Sequence, residues 1–193
     1  MEQQVDEVQW VAQTLAGDQL AFTYLVERYT RLVYNHAYRM LNDAQDAEDA
    51  VQEIFLKAYM RLDSFDPSRR FVSWLLTISS NHCIDRLRRK RQTWLTLDDV
   101  AFWLPSSRTG PERYALEQEQ RATVQQALQQ LPEHYRLVMI LRYWHELSYT
   151  EIADITELTE STVKTRLHRG RKMLVNALGT DGELLWNMET ITS

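Results

Sequence analysis

Apolar residues recur along this chain at helical spacing, and no stretch alternates long enough to read as a strand. Val5, Val8, Ala12 and Leu15 predict a short helix that Gly17 stops, and Asp18 is placed to cap the next one. On that second helix Phe22, Leu25, Val26, Tyr29, Leu32, Val33, Ala37 and Met40 form a wide apolar stripe. Asp43 or Asp46 starts a third helix, with Ala47, Ala50, Val51, Ile54, Phe55, Ala58 and Leu62 inward. DSFDPSRR, residues 63–70, breaks the chain at Pro67. A fourth helix carries Phe71, Trp74, Leu75, Ile78 and Leu87. These four can bury one core.

Residues 93–112, TWLTLDDVAFWLPSSRTGPE, lose this periodicity, and two prolines and a glycine mark them as a linker. Trp94, Phe102 and Trp103 are unusual in a solvated tether. Packing on a neighbouring domain and docking on a partner explain them equally well. A second helical unit starts at Arg113, with Leu116, Val124, Ala127, Leu128 and Leu131 apolar. Pro132 is well placed to start the next helix, which carries Tyr135, Val138, Met139, Leu141 and Trp144. The expected architecture is all-α: two small helical domains, 1–92 and 113–178, joined by the linker and followed by a tail, 179–193.

The stretch LSYTEIADITELTESTVKTRLHRGRKML, residues 147–174, has its own grammar. Ser148 with Glu151 three residues later is a capping box before a short helix carrying Ile152, Ala153 and Ile155. A tight connection follows, and Thr159 or Ser161 can cap a second helix. There Val163, Leu167 and Leu174 face inward, with Gly170 tolerated between them. The other face holds Lys164, Thr165, His168, Arg169 and Lys172. A helix–turn–helix needs this division, because one helix braces while the second enters the major groove by its first turns. Lys164, Thr165, His168 and Arg169 can reach base edges, whereas Arg166, Arg171 and Lys172 suit phosphates. The plainer alternative is a solvated basic helix on an unrelated bundle. The capping box, the short brace and the run without acids from Ser161 coincide in favour of a DNA reader.

Charge sharpens the picture through its distribution. The chain has 193 residues, with 22 Lys and Arg against 27 Asp and Glu, a formal net charge of -5. That total argues against general nucleic-acid binding. Yet Arg86, Arg88, Arg89, Lys90 and Arg91 cluster, as do Lys164, Arg166, Arg169, Arg171 and Lys172. Acids gather in DAQDAEDAVQE, residues 43–53. A footprint is local, so this asymmetry outweighs the sum. Asp46, Asp49 and Glu53 share a helix face that reads as a charged docking surface rather than a metal site, since no His joins it.

No apolar run approaches the roughly 20 residues that span a bilayer. MEQQVDEVQW lacks the zones of a signal peptide, so the chain is expected to stay in the cytoplasm, with no membrane insertion. Cys83 is the sole cysteine and reads as a buried thiol rather than a metal ligand with His82. No cofactor and no metal are expected, and there is no HExxH and no Gly-rich phosphate loop.

FDPSRRFVSWLLTISSNHCIDRLRRKR, residues 65–91, interleaves aromatics, amides and cations. Aromatic faces stack unpaired bases at about 1–3 kcal/mol each. Asn81 offers both donors and acceptors to a base edge, and Arg86 with Arg88 through Arg91 can hold backbone. The plainer reading makes Phe71, Trp74 and Ile78 core, Trp74 chiefly so. The exposed candidates are then the loop 66–70, Asn81 and the basic end.

These residues resemble the extracytoplasmic-function class of bacterial sigma factors. The matching pieces are DAEDAVQEIFLKAYMRLDSFD, RFVSWLLTISSNHCIDRLRRKR, LPEHYRLVMILRYWHELSYTEIADI and STVKTRLHRGRKML, in that order, over roughly residues 8–178. The resemblance implies a subunit that binds core RNA polymerase through the β′ clamp helices and the β flap, recognises and melts promoter DNA, and answers to an anti-sigma factor. It places Asp49, Gln52, Glu53 and Phe55 at the clamp. It places Asp66, Ser68, Arg69, Arg70 and Asn81 at a pocket for a flipped minus-10 base, beside Arg86, Arg88 and Arg89. Lys164, Thr165, His168 and Arg169 fall at its minus-35 readers.

Two features depart from the pattern. Glu160 puts an acid at the mouth of the recognition helix, where it would repel phosphate. The tail carries Leu184, Leu185 and Trp186, which either pack on the domain or meet another protein. A conventional helix–turn–helix regulator is the rival reading, and an enzyme acting on nucleic acid finds little support. The aromatic–basic segment and the acidic helix favour the sigma factor.

Overall fold

The computed structural model describes residues 2–96 and 122–178, with side chains over 6–92 and 122–178. The expected linker beyond Thr96, with Phe102 and Trp103, lies outside them. So do the start of the second unit at Arg113, with Leu116, and the tail with Leu184, Leu185 and Trp186. The regular elements among the described residues are helices, as expected. They are α1 (Glu2–Leu15), α2 (Gln19–Leu41), α3 (Ala44–Met60), a 3-10 turn (Leu62–Ser64) and α4 (Phe71–Thr96). After these come α5 (122–129 among the described residues), α6 (Glu133–Tyr143), α7 (Tyr149–Thr156) and α8 (Glu160–Leu178). α4 carries helix past residue 92 and through Trp94, where the linker was expected to begin.

Local chemistry sets the boundaries. Gly17 takes a left-handed φ of +104°, and Asp18 then accepts the Leu20 N–H at 3.0 Å to open α2. Asp43, not Asp46, caps α3, accepting the Asp46 N–H at 2.7 Å. Leu25, Tyr29, Val33, Ala37 and Met40 bury one face of α2 against α1, α3 and α4. Phe65 and Phe71 are buried beside Trp74, with ring centroids 5.4–5.7 Å apart, so the loop before α4 is nailed into the core by its aromatics.

α1 buries a different face from the expected one. Val11 and the polar Glu7 and Thr14 are inward, whereas Ala12 and Leu15 are exposed. Glu7 accepts hydrogen bonds from the Tyr29 hydroxyl and from Arg28, the latter at 3.3 Å, and these fix the roll of the helix. Apolar spacing could not reveal a buried carboxylate with partners on another helix.

The second domain stacks α5–α8 around Leu128, Leu131, Val138, Met139, Ile140, Ile152, Val163, Leu167 and Leu174. Gly170 does more than fit. A Cβ there would stand 3.1 Å from Met139 Cγ, so the glycine lets α8 approach α6.

The two domains also meet. The carboxyl end of α2 leaves backbone carbonyls without helical partners, and the second domain supplies donors. Arg39 O receives Gln129 at 2.9 Å and Gln125 at 3.3 Å, Met40 O receives Arg136, and Gln125 also reaches Tyr38 O at 3.1 Å, which the Asn42 N–H already caps. Arg136 also reaches the carbonyls of Gln129 and Leu131, at 3.0 and 3.1 Å. It is buried with no ion-pair partner shown, and burial lowers its pKa to about 10. Nearby, His36 Nδ1 and His145 Nε2 lie 3.1 Å apart.

Leu25 is fully buried, so Leu25→Ala is expected to cost about 2–5 kcal/mol. Leu20→Ala, at a site 72% exposed, should change stability by under about 0.5 kcal/mol. Urea unfolding of both variants checks the pair; similar midpoints would contradict the stated core.

Candidate nucleic-acid interface

The helix–turn–helix forms as its sequence grammar predicts. Glu151 accepts the Ser148 N–H at 2.8 Å, while the Ser148 hydroxyl accepts the Glu151 N–H at 3.2 Å. Burial raises the Glu151 carboxyl, but its bonds to Ser148 and then Arg70 outweigh that and hold it below its ordinary range. α7 ends with Glu157 in the left-handed region (φ 54°), which turns the chain so that the Leu158 N–H returns to Ala153 O at 3.0 Å. Of the two candidate caps for α8, the structure uses Thr159, whose hydroxyl accepts the Thr162 N–H at 3.2 Å.

Val163, Leu167 and Leu174 are buried, and that burial turns Lys164, Thr165, His168, Arg169, Arg171 and Lys172 outward on one exposed face. Arg166 is half-buried beside His134, whose pKa falls through burial and then through that guanidinium. Lys164 lies over the Tyr149 ring at 5.7 Å, and Arg171 donates to the Tyr143 hydroxyl at 2.6 Å. These tyrosines orient two cations, which charge counting along the sequence could not show. Glu160 is held by the brace, accepting from Thr150 at 2.7 Å. The acid therefore stays at the helix N-terminus, where the dipole favours it.

In the first domain every residue of the loop 66–70 is exposed. Asp66 accepts the Ser68 N–H at 2.9 Å, and its hydrogen bonds from Ser68 hold the carboxyl below its usual range. Arg70 pairs with Glu151 of α7 at 3.2 Å, and Arg69 stands 3.9 Å from Asp154. The structure thus brings this loop to the brace helix, a contact absent from the sequence pattern. Asn81 is exposed on α4, as are Arg88 and Arg89.

Two expectations need correction. Arg86 does not project as an open backbone contact. It faces α3 and reaches Asp46, Asp49 and Glu53 at 2.8, 3.2 and 3.5 Å. Three carboxylates outcompete solvent for one guanidinium, and Lys90 joins them at Asp46. The acidic face of α3 is therefore partly spent within the domain, although Asp49, Glu53 and Gln52 keep solvent exposure. Phe55 lies inward, as its apolar spacing predicts, so the clamp position that the resemblance gives it is not an exposed one. At 6% exposure it packs near Phe22, and Leu56 and Met60 stand out from α3 instead, 60% and 72% exposed.

Cys83 is buried as expected, and burial pushes its thiol up to about 12. No helix among the described residues is long and apolar enough to cross a membrane.

With this geometry in place, comparison with known proteins identifies the class. Residues 25–93 match the Sigma-70 region 2 family and residues 121–174 match Sigma-70 region 4. The chain is similar to the ECF RNA polymerase sigma factor SigW of Bacillus subtilis (strain 168), at 39% identity over 85% of this chain and 92% of that one. It is also similar to the ECF RNA polymerase sigma-E factor of Escherichia coli (strain K12), at 33% identity over 91% and 96%. Among solved structures it resembles the sigma factor RpoE of Bartonella quintana in complex with the anti-sigma factor NepR. The TM-score is 0.68 and identity 26%, over 83% of this chain and 98% of that one. The chain belongs to the ECF family of RNA polymerase sigma factors.

Asp46 tests the α3–α4 network. Burial raises its carboxyl, but Lys90 and then Arg86 outweigh that and hold it below the usual range. A depressed carboxyl contributes stability that is complete above its unfolded pKa of about 3.9 and is lost as pH falls through the folded value. Asp46→Asn should therefore lower stability at neutral pH and flatten the acid limb below about pH 4. Thermal melts from neutral to acid pH read both effects.

Proposed function

We propose that this chain is a dissociable promoter-specificity subunit of RNA polymerase, acting in the cytoplasm by binding rather than catalysis. One observation carries the reading. A helix–turn–helix with an exposed cationic face shares the chain with a second domain that presents Asn81, the loop 66–70 and a basic helix end. A conventional regulator uses the first surface and has no need of the second.

The roles divide as follows. α8 lies in the major groove at the minus-35 element, with Lys164, Thr165, His168 and Arg169 toward base edges and Arg171 and Lys172 toward phosphates. Asp66, Ser68, Arg69, Arg70 and Asn81 receive an unpaired minus-10 base, beside Arg88 and Arg89. Asp49, Gln52 and Glu53, with the neighbouring Leu56 and Met60, meet the β′ clamp helices, while Phe55 supports them from beneath. The domain 113–178 also reaches the β flap, and 1–92 is the promoter-melting unit. The NepR complex of the Bartonella relative supports an anti-sigma factor as a further partner.

Energy explains the dependence on a polymerase. Opening about ten base pairs costs on the order of 14 kcal/mol at about 1.4 kcal/mol per step. Two or three stacked bases return only about 1–3 kcal/mol each. The free chain binds duplex weakly and melts nothing.

Run-off transcription with purified core polymerase tests this reading. Initiation from a cognate promoter is expected; a chain that never directs initiation would refute it. Within that assay, Arg169→Ala should relax preference at one or two minus-35 positions by about 1–3 kcal/mol. Uniform loss on every promoter would mark a phosphate contact instead. Asn81→Ala should slow strand opening and leave duplex binding nearly intact, with permanganate footprinting as the readout.

A further inference from the structure

The contact between the domains holds a feature that promoter reading does not use. His36 and His145 meet ring to ring, with centroids 5.2 Å apart and nitrogens 3.1 Å apart, one from each domain. His36 is fully buried, and its other nitrogen lies 3.4 Å from the Ser80 hydroxyl of α4. The neutral pair satisfies this contact, one ring donating N–H to the other's lone pair, and a proton on both rings would set two N–H groups against each other. The charge that acts on both rings is a cation, Arg39, which disfavours a proton on either. From α2 the pair faces Arg39, whose guanidinium lies over Trp144 at 5.2 Å. From α4 it faces Ser80, and near the end of α2 Gln129 of α5 and the cation Arg136 of α6 donate to Arg39 O and Met40 O.

The closed arrangement also conflicts with the proposed function. Arg70 touches Glu151 at 3.2 Å, so the loop 66–70 and the brace of the helix–turn–helix are adjacent. On a promoter the two elements they serve lie about 25 base pairs apart, about 85 Å at about 3.4 Å per step. The domains must part before both can be read.

The geometry points to a built-in latch: the His36–His145 pair, buried between the domains beside Arg39, holds them shut in its neutral form, and protonation releases them. Burial, and then Arg39, lower the His145 pKa to about 4, and burial, then His145 and Arg39, hold His36 well below its ordinary range. In the open form both rings return toward about 6.5. A depressed histidine favours the closed form fully above that value and loses the advantage as pH falls below it. At about pH 5.5 the open-to-closed ratio should rise about tenfold through His145 alone, and His36 adds in the same direction. The latch itself is independent of the promoter-subunit reading; its consequence for polymerase binding rests on that reading.

The test is energy transfer between dyes at Glu27→Cys and Asn176→Cys in the full chain, both exposed positions; buried Cys83 stays unlabelled. Transfer should fall between about pH 7.5 and about pH 5.5, with unchanged far-ultraviolet circular dichroism. The same chain carrying His36→Gln and His145→Gln should lose this transition. Constant transfer in the parent chain, or an identical curve in the double variant, overturns the latch.

Gln129→Glu provides an arm that leaves the histidines intact. It replaces the donor to Arg39 O with a carboxylate and keeps the oxygen that Arg136 uses. This variant should show low transfer at about pH 7.5 and bind core polymerase more tightly by the factor in which the open fraction rises. Low transfer with no gain in core binding counts against the proposed polymerase role, while the parent chain's pH transition and its loss in the double histidine variant decide the latch.

Discussion

The carboxyl end of α2 is the constraint on which the arrangement of this molecule depends. A 23-residue helix buries one stripe against three neighbours and then stops at Asn42, leaving carbonyls without helical donors. Water could satisfy them. The second domain does so instead, through Gln125, Gln129 and Arg136. Arg136 gives up solvent to make these bonds, and its depressed pKa is the electrostatic mark of a cation whose partners are carbonyl dipoles. Neutral carbonyls compensate a buried charge less well than carboxylates do. Such an interface is specific in geometry and moderate in strength, as suits two domains that must separate.

Charge is handled differently within the first domain. α3 is acidic and α4 basic, and they neutralise each other where they touch, with Arg86 bridging three carboxylates. What remains for partners lies at the ends and edges: Asn81 and Arg88 along α4, the loop 66–70, and the exposed Leu56 and Met60 on α3. Internal pairing thus decides which members of a charged cluster are available. The same holds in the second domain, where Tyr149 and Tyr143 hold Lys164 and Arg171 in place and Thr150 retains Glu160. A basic run becomes an oriented surface, with part of its rotamer entropy already lost before DNA arrives.

The closed form gives that surface an unexpected neighbour. Asp154 and Glu151, on the brace, stand where they attract Arg69 and Arg70 of the other domain. These pairs are exposed and each is worth about 0–1 kcal/mol, so they bias the closure rather than secure it. The buried donors and the histidine pair carry the larger share.

Much of this was legible in the sequence because it is local. Helix spacing, the Asp18 and Asp43 caps, the Ser148–Glu151 box and the outward face of α8 depend on residues a few positions apart. Their physics is complete within one or two turns. The all-α class and the helix–turn–helix followed from them. Only the tertiary structure decided the roll of α1, the turning of Arg86 toward α3 and the meeting of His36 with His145. Each depends on a polar or aromatic partner tens of residues away, and hydrophobic periodicity carries no information about which distant group will satisfy a buried one.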